Sequence, residues 1–254
     1  MIKIKTSPIL PILFLIAVGT DFVYAQDSQL WTDYNLTVPV PNMNKFTYGG
    51  DVAWRRGGDT GLQGFVSEAD FNQIIIRPTA RYRFNQIFNV GAGTGGFFSF
   101  NNGSGNIYEF RIQEEVNIRW PDLSVLALFY RVRFDQRFFS IEDAPNDRTG
   151  RVRYLIGMDS DDIRTFGRKK PIYLQLFWEG FKTLGRFSIN DTFINQDRWT
   201  GIFGHRISNT TRYEINYINQ RQRTASETEF KTTQHIIRLR FFHRLAPKES
   251  PQSL

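Results

Sequence analysis

The sequence predicts an all-β fold: a single transmembrane up-and-down antiparallel β-barrel of about 10 to 12 strands after a cleaved signal peptide. Three observations carry this expectation. Between Tyr108 and Phe138 two long runs alternate between apolar and polar residues, the period of a strand whose two faces meet different surroundings. The chain opens on a basic, then apolar, then small-residue leader. A load of 24 Phe, 10 Tyr and 5 Trp in a chain with few helical patterns suits apolar outer rows bordered by interfacial girdles.

In the leader, Lys3 and Lys5 precede an apolar run from Ile9 to Val18, and Val23-Tyr24-Ala25 precedes Gln26. Residues 1–25 therefore read as a signal peptide, 26–245 as the barrel and 246–254 as a C-terminal tail. The run is shorter than a membrane-spanning helix and is interrupted by Pro11. With no cysteine, the sequence offers neither disulfides nor thiolate metal sites, and no lipid attachment at the cleavage point.

A first segment, Leu30 to Val38, carries Trp31, Tyr34 and Leu36 in imperfect alternation and closes at Pro39 and Pro41. The second strand sets Phe46, Tyr48, Val52 and Trp54 against Thr47, Asp51 and Arg55. In the third, Ile74, Ile76, Ala80, Tyr82 and Phe84 oppose Gln73, Arg77, Arg81 and Arg83, with Pro78 acceptable only at a bulge or where its missing N–H is not needed. The fourth, Ile87 to Phe98, puts Gly91, Gly93 and Gly95 on one face. These glycines lack the strand-then-helix setting of a phosphate loop and instead leave room for neighbouring arginines inside a narrow barrel.

The central hairpin places Tyr108, Phe110, Ile112, Val116, Ile118 and Trp120 opposite in facing to Glu109, Arg111, Gln113, Glu115, Asn117 and Arg119. After Pro121, Leu126, Leu128, Tyr130, Val132 and Phe134 alternate with Arg131, Arg133, Asp135 and Arg137. A tight turn at Asp122 to Ser124 pairs Glu115 with Arg131, Gln113 with Arg133, Arg111 with Asp135 and Glu109 with Arg137, so that opposite charges meet. Glu114 falls in the apolar row, and a bulge beside Glu115 is expected to re-aim it. Five more strands follow: about Arg151 to Met158, Ile172 to Glu179, Asn195 to Arg206, Thr211 to Arg221 and Thr232 to Leu245. Short turns at Asn42, Asn85, Asp122 and Ser208 alternate with long loops, which makes ten strands from the second onward and leaves the first segment to thread the interior, pair irregularly or join a twelve-stranded closure with one further strand.

Trp31, Arg77-Pro78, Arg131-x-Arg133, Arg151-x-Arg153-Tyr154, Glu179, Asn195-Gln196-x-Arg198 and Tyr217-x-Asn219-Gln220, taken in order, resemble an uncharacterised family of Gram-negative outer-membrane β-barrel proteins, a domain of unknown function. The resemblance covers nearly the whole mature chain and implies fold and location, not an activity. One departure is the tail, which runs past Phe241-Phe242 to Leu254 where such barrels often end on an aromatic residue.

Of 32 basic residues 8 are lysine, so 24 are arginine, the side chain suited to sheltered pairing with carboxylates. The alternation puts Arg77, Arg81, Arg83, Arg111, Arg131, Arg133, Arg151, Arg153, Arg238 and Arg240 on inward faces with Asp51, Glu109, Glu115, Asp135, Glu179 and Glu214. The expected role is a non-enzymatic barrel of the bacterial outer membrane with an arginine-rich lumen, a structural or partner-binding element. The alternative is a small anion-selective channel, since lining charge selects the ion that enters. A further alternative is an outer-membrane hydrolase, for which His205, His235 and His243 are the histidines available as a base. No catalytic residue, metal ligand or cofactor is assigned. The acidic group Asp159, Asp161 and Asp162 lacks the glycine and distal glutamate of a calcium loop. Expected partners are outer-membrane lipid, an anionic solute, or a periplasmic or outer-membrane protein; nucleic acid is not expected of an exported chain whose charges are spread over strands.

Overall fold

In a computed structural model the alternating runs form eleven strands: β1 (Ser28–Pro39), β2 (Phe46–Gly58), β3 (Phe71–Arg83), β4 (Phe88–Asn101), β5 (Ile107–Arg119), β6 (Leu126–Ile141), β7 (Asp147–Ser160), β8 (Ile172–Leu184), β9 (Gln196–Arg206), β10 (Thr211–Gln222) and β11 (Lys231–Arg244). The structure describes residues 28–58, 71–101, 105–120, 126–142, 144–160, 172–185, 194–223 and 230–245. The expected signal peptide, the C-terminal tail, and Asp161 and Asp162 lie outside the described residues. Strands run from 11 to 16 residues, well beyond the usual five or six. Among the described residues there is no helix.

Each strand from β2 to β11 pairs antiparallel with its sequence neighbours, and β1 closes the wall. An up-and-down ribbon with an odd number of strands returns to its start in the same direction, so one pair must be parallel. That pair is β1 and β11, in register from Ser28 opposite His235 to Thr37 opposite Arg244, while β1 also pairs antiparallel with β2. The first segment is thus a wall strand. Its imperfect alternation has a simple cause: Tyr34 faces outward and is exposed, whereas Trp31 faces inward and is buried.

Local chemistry sets the short connections. Asn42 takes φ 60 between β1 and β2, a left-handed conformation that asparagine tolerates better than most residues. Between β3 and β4 the Asn85 side-chain oxygen accepts the N–H groups of Ile87 and Phe88 at 2.8 and 2.7 Å, and between β9 and β10 the Ser208 hydroxyl accepts from the Thr210 N–H. Pro78 needs no bulge: it faces outward beside Gly50, and the β3–β4 register is the same on both sides of it.

The central hairpin departs from expectation in two respects. Its register is shifted by two residues, pairing Glu115 with Arg133, Gln113 with Asp135, Arg111 with Arg137 and Asn117 with Arg131. Two arginines therefore stand directly opposed, and Glu109 resolves the conflict diagonally by holding Arg111 at 2.7 Å and Arg137 at 2.6 Å. Inner side chains of a closed wall converge, so cross-strand complementarity need not run straight across. Nor is there a bulge at Glu115: the ladders to β4 and β6 pass through Glu114 without a shift, and this carboxylate is exposed on the outer face between Ala92 and Phe134.

Shape complementarity inside is tight near the short-turn end. Tyr173 is buried, donates its hydroxyl to Glu214 at 2.6 Å, and lies across Gly204, where an added Cβ would come within 2.1 Å of the ring. Gly204→Ala should cost about 1–3 kcal/mol through overpacking, read as a lower urea midpoint for the refolded protein. A midpoint equal to wild type would show that Tyr173 has another place to go.

Candidate functional site

The inward rows of most strands, β4 excepted, carry ionisable groups, and each carboxylate described there holds one or two guanidiniums. On β2 and β3, Asp51 takes Arg77 in a two-pronged contact at 2.7 Å. Glu115 on β5 holds Arg133 at 2.5 Å and, from the other side, Arg81 at 2.8 Å. Asp135 on β6 holds Arg151 at 2.8 Å with Arg153 at 3.9 Å, and Glu179 on β8 holds Arg153 at 2.8 Å and Arg131 at 2.9 Å. Arg131 therefore finds its carboxylate two strands onward, not on β5. Asp33 on β1 binds Arg238 and lies 3.3 Å from Arg240, which also contacts Glu214 at 3.2 Å. Arg83 stands exposed at the end of β3.

Small residues make the space for these chains. A Cβ on Gly95 would meet the Arg77 stem at 2.9 Å, and one on Gly91 would meet Glu115 at 2.9 Å. Four buried rings point inward from different arcs of the wall and carry guanidiniums on their faces: Trp31 under Arg55 at 3.8 Å, Phe97 under Arg111 at 3.7 Å, Phe181 with Arg198 at 4.8 Å and Arg153 at 5.0 Å, and Tyr173 with Arg206 at 4.8 Å. Trp31 packs on Ile218 and Ile236, and Phe97 on Ala53 and Ile75.

Among the described residues, two cavities lie inside the wall. One, about 680 Å³, is lined by Trp31, Arg55, Arg198 and Arg238 among others; the second, about 260 Å³, includes Asn35, Arg81, Glu115 and Phe242. Arg77, Arg131, Arg133 and Arg240 line both, so paired guanidiniums stand between the two spaces.

Several site residues are absent from the set inferred from alternation: Asp33, Arg55, Arg137, Arg198 and Arg212. Arg55 and Arg137 share the parity of their strands' polar rows, which was the available signal. Asp33 was hidden by the irregular look of β1. Arg212 contacts Glu214 at 3.7 Å and tops the Tyr173 ring at 6.0 Å, a role that only the β8–β10 juxtaposition creates. The three histidines lie apart on outward positions: His205 edge-on to Tyr213, His235 bonded to the Tyr217 hydroxyl at 2.6 Å, and His243 to that of Tyr34 at 3.2 Å.

No curated protein and no solved structure matches the chain. Residues 28–231, from the first strand to the start of the last, match a family model described as a protein of unknown function. The match spans most of the barrel wall just described, and the chain belongs to this family, DUF2490.

Proposed function

We propose that this protein is a barrel of the bacterial outer membrane, closed to free flow by its arginine–carboxylate network, acting as a structural or partner-binding element and not as an enzyme. The observation that carries this reading is the inverted distribution of side chains. Asp135 is 0 % exposed and Glu179 4 %, whereas Ile156 and Val52 are more than half exposed, with Ile74, Ile76, Phe110 and Leu239 also bare. Water would penalise such an outer surface, because contiguous apolar area of this extent marks a site of association. Hydrocarbon would not, and a closed wall leaves no backbone edge unpaired in lipid.

The mature protein should fractionate with outer membranes and migrate faster on gels unboiled than boiled, as a detergent-resistant closed barrel does. Recovery as a soluble periplasmic protein would end the membrane reading. In planar bilayers the wild type should be electrically silent. The two interior cavities support a second reading, a small anion-selective channel, because only side chains separate them. Steady anion-selective current from the wild type would put the channel in place of the closed barrel.

A further inference from the structure

The arginines of the barrel interior are not all compensated. Among the described residues, no carboxylate forms an ion pair with Arg55 or Arg198. Arg55 donates once, to the Gln73 side-chain oxygen at 3.2 Å, and its Nε is buried without a hydrogen-bond partner. Arg198 donates once, through Nε to the Gln220 side-chain oxygen at 2.6 Å. Of roughly five N–H donors on each guanidinium, most are therefore free. Both cations lie on one indole: the Trp31 ring centroid is 3.8 Å from Arg55, 5.4 Å from Arg198 and 5.7 Å from Arg238, the last being neutralised by Asp33.

Three guanidiniums around one ring, two without a carboxylate in ion-pair contact although Glu179 faces Arg198 across the β8–β9 ladder, repel one another in a sheltered interior where water screens poorly. The ring faces offset part of this, at about 0.5–2 kcal/mol each. The rest calls for an anion. All of these groups line the larger cavity, together with Gln29, Gln73, Gln220 and Gln234. Its volume, about 680 Å³, falls within the size of ordinary ligand pockets and exceeds what a bare ion needs.

The geometry points to a solute-binding site at Trp31, Arg55 and Arg198 that takes a small organic oxyanion, a phosphate or carboxylate carried on a compact body. Two planar forks with free N–H pairs favour oxyanions, which accept such pairs bidentately, over spherical halides. The indole supplies an apolar wall for the body, and the glutamine amides supply neutral donors and acceptors. The inference rests on the closed lumen proposed above, and gives that lumen a content.

The test uses the full mature chain refolded into detergent micelles in phosphate-free buffer, titrated calorimetrically with inorganic phosphate and with succinate. Saturable binding near one equivalent is expected for at least one of the two. Arg55→Gln and Arg198→Gln should each weaken it about tenfold or more, while Arg148→Gln, which removes the same charge from an exposed outer position, should leave it unchanged. The bound anion should also raise the unfolding midpoint of the wild type and not of Arg55→Gln. If one variant does not refold, the other carries the comparison. No saturable binding of either anion overturns the site, as does an equal loss with Arg148→Gln, which signals diffuse attraction only. Bilayer conductance is a separate readout: a conducting barrel that binds the anion sinks the closed-barrel reading and keeps this site, and a silent barrel that binds neither does the reverse.

Discussion

Asp33→Ala should destabilise the barrel by about 3–5 kcal/mol, the cost of stripping a sheltered charge pair of one partner. Asp33 lies on β1, is buried, and binds Arg238 of β11 with Arg240 beside it. Those contacts cross the one parallel pair of the wall, where sequence-adjacent hairpin turns do nothing to hold the strands together. Without the carboxylate, Arg238 is left uncompensated beside Trp31, and Arg240 keeps Glu214 as its carboxylate partner and the Asn35 side-chain oxygen as an acceptor. The seam is therefore where the variant should open. Urea unfolding of the refolded protein, followed by tryptophan fluorescence, gives the midpoint shift, and loss of the fast-migrating unboiled gel form reports opening of the wall. Asp33→Leu combined with Arg238→Met leaves no lone charge at that pair and should recover much of the loss. A wild-type midpoint for Asp33→Ala would mean that backbone pairing alone closes the barrel.

Arg131→Ala with Arg133→Ala should turn a silent barrel into a conducting one. These are two of the four arginines that line both cavities, and truncating them should join the two spaces beside the remaining Arg77 and Arg240. Glu115 keeps Arg81 and Glu179 keeps Arg153, so the carboxylates left behind are not bare. Arg55 and Arg198 still lack carboxylate partners, so the field along the passage should remain positive and the current should be carried by anions. Arg131→Glu with Arg133→Glu places two acids at the same level, where anion preference should weaken or invert. Single-channel recording with reversal potentials under a salt gradient reads both outcomes. Silence from both double variants would show that the interior is blocked elsewhere, with the buried rings of Trp31, Phe97 and Phe181 as the obstruction.

Strand identity in this protein is a local property, and the sequence by itself determined it. A period of two over runs such as Tyr108 to Trp120 leaves no other regular conformation that separates the apolar row from the charged one, and glycine, proline and asparagine mark where each run ends. The same alternation sorts most inward charges from outward apolar groups, including Arg133, Asp135 and Glu179. What only the tertiary structure decided is everything that depends on non-adjacent strands. Register slid by two in the central hairpin because Glu109 can serve Arg111 and Arg137 together across a concave surface, which a pairwise count of facing charges does not foresee. Glu114 stayed outward because the ladders on both of its sides run through without an extra residue. Closure by β1 against β11, the reach of Arg131 to Glu179 and the gathering of Arg55, Arg198 and Arg238 on Trp31 join positions far apart in the chain. A wall that curves shut sets such distances through its strand number and stagger, and both are properties of the whole circuit that no single strand encodes.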